Sequence, residues 1–108
     1  MNIFKKLFYY LRLRDAIIKA ELEHSQTGKR YYVMPMLTTN GKLVIVDRHN
    51  FRGLKRKHYI SENATLNDLF NESFYYTAQG NGIGRMDKVS QKRMRRYYYR
   101  WVDSVCKK

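Results

Sequence analysis

Arg85, Lys88, Lys92, Arg93, Arg95, Arg96 and Arg100 crowd into the stretch from 85 to 100, around the run Tyr97-Tyr98-Tyr99. Guanidinium and ammonium groups at this density hold phosphates. An exposed phenol ring among them can stack on a nucleobase, the combination that single-strand and RNA binders use. A second cluster, RHNFRGLKRKH at 48–58, adds Arg48, Arg52, Lys55, Arg56 and Lys57, with Phe51 and Leu54 as its expected anchors to a core. Seven and five make 12 of the 22 Lys and Arg residues, and the formal charge is +13. Such an imbalance favours polyanionic partners.

Residue types that run covalent or acid–base chemistry are present but not arranged for it. His24, His49 and His58 have no metal-ligand spacing with one another, with Cys106 or with a carboxylate cluster, and are expected on the surface. The nine Asp and Glu show no nuclease-like grouping, and no base stands near a serine or cysteine nucleophile. A non-catalytic protein without metal or cofactor is therefore expected. GNGIG at 80–84 matches neither the Walker pattern nor the dinucleotide fingerprint, so it reads as a turn rather than a phosphate cradle, with Arg85 and Lys88 beside it. A single cysteine, Cys106, rules out an intramolecular disulfide and fits a reducing, cytoplasmic interior. In that setting the sequons at Asn63 and Asn71 are chance matches.

The elements that must position the basic clusters follow from periodicity and turn chemistry. Phe4, Phe8, Leu11, Ile18 and Leu22 recur at helical spacing over residues 3–24, and Gly28 supplies a stop. This stripe is expected to cover a β-hairpin. With Lys5, Lys6, Arg12, Arg14 and Lys19 beside it, the same helix also fits an interfacial membrane helix, a weaker reading. Arg12 and Arg14 interrupt the apolar start, so neither a signal peptide nor a membrane span is expected. KRYYVMPML and KLVIVD form the hairpin through TTNG, whose Asn40-Gly41 pair suits positive φ. Pro35, lacking an amide donor, predicts an edge position or a bend for the first strand. A short helix is expected around 49–57. Thr65 and Asp68 announce a capped helix of one or two turns, SFYYTAQ a third strand, and Asp87 the start of a C-terminal helix.

Successive helical residues turn by about 100°, so the three tyrosines cannot share a face. With Met94 at the centre of the buried stripe, Tyr98, Trp101, Val102 and Val105 are expected in the core and Tyr97 at its edge. Tyr99 instead projects with Lys92, Arg95 and Arg96, which makes it the candidate for stacking. Net charge runs +9 over residues 1–58, −3 over 59–84 and +7 over 85–108, and the acidic middle either folds back on the basic flanks or keeps one face away from an anion.

GKRYYVMP, TNGKLVIVDRHNFRGLKRKHYI and FYYT together resemble small basic proteins, without assigned chemistry, of gut Bacteroides-type bacteria and their crAss-like phages. The resemblance covers most of residues 12–101 and transfers no functional residue. It implies a phage or mobile-element origin, where small basic proteins bind the genome or join virion assembly, in host cytoplasm or virion.

The expectation is one α+β domain over 1–108, with a β-hairpin or small antiparallel sheet packed against N- and C-terminal helices. Its expected role is non-catalytic binding of DNA or RNA through backbone contacts. The alternative is a structural or virion assembly protein whose basic surface meets an acidic protein.

Overall fold

The computed structural model of the chain describes residues 2–36 and 41–105. Seven elements follow in order: α1 (Ile3–Thr27), β1 (Tyr32–Pro35), β2 (Leu43–Val46), α2 (Phe51–Arg56), α3 (Leu66–Asn71), β3 (Tyr75–Tyr76) and α4 (Lys88–Val105). The fold is α+β, as expected. Of the turn TTNG, only Gly41 lies within the described residues, and its φ of 74° is the positive value such a turn requires.

The sheet is antiparallel in the order β2-β1-β3, so the strand carrying Pro35 is central, not at an edge. Proline is tolerated there because β3 is short. It pairs only with Tyr32 and Val33, leaving Pro35 opposite Leu43 of β2 alone. Successive strand residues point to opposite faces, and β1 uses this to build two cores. Val33 packs with Leu13, Ala20, Tyr75, Tyr98 and Val102, under α1 and α4. Tyr32 and Met34 pack with Val46, Phe51, Ile60 and Leu69, under α2 and α3. The sheet is thus the middle layer of three.

Local signals in the sequence set the helix ends. Asn2 accepts from the Lys5 amide at 2.8 Å, and Gly28, left-handed at φ 74°, closes α1 by donating to the His24 carbonyl. Thr65 and Asp68 form the full capping box of α3, with the Thr65 amide donating to the Asp68 carboxylate at 2.8 Å. Asp87 accepts from the Ser90 amide at 2.6 Å and starts α4. This bond, with the others that Asp87 makes to the same turn, holds its carboxyl below the ordinary carboxylate value. Asp47 and Asn50 exchange bonds, each amide donating to the other's side chain, and lead the chain into α2.

Two expectations about helix faces are overturned. The α1 stripe of Phe4, Phe8, Leu11, Ile18 and Leu22 does not cover the hairpin; all five are exposed. The face turned to the sheet carries Leu13, Ala16, Ile17 and Ala20, where two alanines allow close approach. On α4, Tyr98 and Val102 are buried as expected, but Met94 and Trp101 are half-buried and Val105 is exposed. Tyr99, expected to project, is half-buried and packs against the core beside Tyr98, whereas Tyr97 is 59% exposed. Cys106 lies outside the described residues.

Candidate nucleic-acid interface

The three-layer order separates the two basic clusters. Arg52, Lys55 and Arg56 ride on α2, which Phe51 anchors to one side of the sheet. Lys88, Lys92, Arg93, Arg95, Arg96 and Arg100 ride on α4, which Tyr98 anchors to the other. One surface does not join them.

The α2 side carries charge of both signs. Leu69 of α3 shares its core with Phe51, which brings exposed Glu72 and half-buried Asp68 to the same side of the sheet. The acidic middle of the chain therefore folds beside this cluster. Glu62 lies 3.5 Å from His58. Lys55 is turned inward, donating to the Ala64 carbonyl at 2.9 Å with its ammonium 5.2 Å from the Phe51 ring centre. Arg48, Arg52, Arg56 and Lys57 are exposed. Arg48 and His49 open on a cleft of about 600 Å³ with Lys29 and Arg30, but Asp47 lines it as well. Arg30 is committed there, donating to the Gly84 carbonyl at 2.7 Å with its guanidinium 5.0 Å from the Tyr76 ring centre.

The other side is different. Between α1 and α4 a cleft of about 370 Å³ is lined by Arg14, Lys88, Lys92 and Arg95, with Tyr10 and Phe74 as aromatic wall and no carboxylate among its lining residues. The Arg95 guanidinium sits 5.4 Å from the Tyr10 ring centre. Burial pushes the Tyr99 phenol up; neighbouring Arg95 opposes the rise and Tyr10 adds to it. By helical projection Lys92, Arg96, Arg100 and Arg93 follow one another from the cleft over the outer surface of α4 to exposed Tyr97. The result is one cationic band, from the α1–α4 cleft to Tyr97.

One predicted contributor stands apart from the band. Arg85 donates to Glu21 at 2.9 Å, and the other Glu21 oxygen accepts from the Tyr75 phenol at 2.6 Å. The pair spans from α1 to the loop before α4, so moving Arg85 to a phosphate would break it. The glycine loop makes no cradle. The Gly82 amide donates to Gln79, the Gln79 amide to Ile83, and the Ile83 amide to the Asn81 side chain.

Tyr10 and Arg14 were missed in the sequence because they lie on α1, 74 residues or more from the α4 cations they join. Tyr97 is expected at the edge of the core, and the half-burial of its neighbour Tyr99 depends on tertiary packing that no local pattern encodes. Among the described residues no group of three His, Cys, Asp or Glu could hold a metal ion. No protein family, curated protein or solved structure matches this chain.

Proposed function

We propose that the protein binds single-stranded nucleic acid, or single-stranded regions of RNA, along the cationic band of α4. The observation that carries this reading is the α1–α4 cleft, where Arg14, Lys88, Lys92 and Arg95 meet with no carboxylate among the lining residues. A cleft lined by one sign of charge concentrates the opposite ion. Tyr10 at its wall and Tyr97 at the far edge of the band offer ring faces that accept any base, so recognition is weakly dependent on sequence.

The test is a salt titration of binding to a random single-stranded oligonucleotide, comparing the parent with Lys92→Gln/Arg95→Gln and with Arg52→Gln/Arg56→Gln. Affinity that falls steeply with salt, with a slope reduced only by the α4 pair, supports the reading. Equal effects from both pairs point to diffuse charge. Absence of binding at low salt removes nucleic acid and leaves an acidic protein surface as the partner of the band.

A further inference from the structure

The outer face of α1 exposes more apolar surface than a helix of an isolated domain has reason to. Ile3 is 75% exposed, Phe4 81%, Leu7 57%, Phe8 53% and Leu11 37%. Every residue from 2 to 8 is exposed, cations included, so the first turns of α1 stand clear of the body on all sides. Contiguous apolar surface of this kind marks an interaction site.

Three occupants compete for it. A second copy is disfavoured by charge. Lys5, Arg12 and Lys19 recur every seven residues along one flank of the stripe, so this flank would face itself in an antiparallel pair and Arg14 in a parallel one. A single acidic helix from another protein would use a narrow seam through Ile18 and Leu22 and would need a cation opposite Asp15, which interrupts the stripe. The exposed side chains instead spread widely at the tip. At 100° per residue Ile3, Phe4, Leu7, Phe8 and Leu11 span about 140° of the helix circumference, wider than a two-helix seam and suited to a flat apolar phase. Residues 2–14 contain Lys5, Lys6, Arg12 and Arg14 and no carboxylate, so the headgroups that fit are anionic. The helix is also already formed and capped by Asn2, so docking carries no cost of coil-to-helix ordering. Among the described residues no helix is long and apolar enough to cross a membrane, which leaves a helix lying at the interface.

We propose that residues 3–11 of α1 form an interfacial anchor for an anionic lipid surface, with the five apolar side chains in the acyl boundary and Lys5, Lys6 and the neighbouring Arg12 at the headgroups. Asp15 marks the end of the immersed part. The site is separate from the α4 band, so it stands or falls independently of nucleic-acid binding.

Flotation with phosphatidylcholine–phosphatidylglycerol vesicles, against pure phosphatidylcholine, tests it at physiological ionic strength. The parent is expected to float with the mixed vesicles and to stay behind with the neutral ones. Phe4→Ser/Phe8→Ser, which leaves the charge unchanged, should lower partitioning by about tenfold or more, and Ile3→Ser/Leu7→Ser should repeat the effect if the first variant melts early. In Phe4→Trp, brominated lipid should quench the added indole, whereas the parent's single tryptophan, Trp101, packs against Phe74 and Tyr98 and should not respond. Equal flotation of the parent and both serine variants would show attraction by charge alone and overturn the anchor. So would an added indole that stays unquenched in Phe4→Trp, or a parent that ignores anionic vesicles, which would return the stripe to a protein partner. Oligonucleotide affinity of the serine variants should match the parent's.

Discussion

The Tyr98 hydroxyl donates a 3.0 Å hydrogen bond to the Gly41 carbonyl, 57 residues earlier, and both residues are buried. This bond ties α4 to the start of β2. Its loss in Tyr98→Phe leaves a buried carbonyl without that donor, which costs about 1–3 kcal/mol. Tyr98→Ala also empties a site packed against Phe74 at 5.1 Å and should cost about 3–5 kcal/mol. Trp101→Ala should cost less than Tyr98→Ala, since Trp101 is only half-buried. Chemical denaturation of the three variants orders them, and a Trp101 effect equal to that of Tyr98 would place the core centre elsewhere.

Alkaline stability should depend on Tyr75. Burial, and then its hydrogen bond to Glu21, push the phenol well above the ordinary tyrosine value. A raised folded value means that the stabilisation is fully present below the ordinary phenol pKa, about 10. It is lost as pH rises toward the folded value. Melting temperature should therefore fall from that point upward, and Tyr75→Phe, less stable at neutral pH, should show a flatter alkaline limb. An unchanged limb would mean that neither burial nor the Glu21 bond holds the phenol up in solution.

The salt dependence of oligonucleotide binding should separate the two sides of the sheet. Each of Lys92→Gln and Arg95→Gln should reduce the logarithmic salt slope by about 0.7, the value for one phosphate of a single strand. Arg52→Gln should leave it unchanged, because α2 lies across the sheet from the cleft. Fluorescence anisotropy at several salt concentrations reads both.

Tyr97 and Tyr99 should behave as opposites although they flank the same residue. Tyr97→Ala should weaken single-strand binding by about 1–3 kcal/mol, the range for one base stacked on an aromatic ring, with the melting temperature held. Tyr99→Ala should instead lower stability, because its half-buried ring packs on the core beside Tyr98. A Tyr97 variant that binds normally would leave Tyr10 as the only stacking platform of the band.

What the sequence made legible was local. Gly28, the Thr65–Asp68 box, Asp87 and the two hairpin strands each announce themselves by a residue whose chemistry fits one position, and the structure has them there. The choice of helix face was not legible, for a physical reason. α1 is apolar on two opposite sides, and periodicity scores both alike. The alanines at 16 and 20 decide it by letting the backbone approach the sheet, while the bulkier stripe stays outside. On α4, Tyr97 and Tyr99 sit symmetrically about 100° from Tyr98, so tertiary packing rather than local pattern determines which is covered. The candidate site was half legible for the same reason: its α4 cations stand in one run, but Tyr10 and Arg14 join them only through the packing of α1 on α4.

The central position of β1 also has a kinetic side. Tyr32 pairs with Val46, 14 positions on, and with Tyr76, 44 positions on. Closing the longer loop costs about 1 kcal/mol more chain entropy, and β3 offers only two residues to offset it. The hairpin can thus form early in the transition state, while the other edge waits for α4 and its tyrosine to arrive. Substitutions at Val44 should slow folding, whereas those at Tyr76 should mainly speed unfolding.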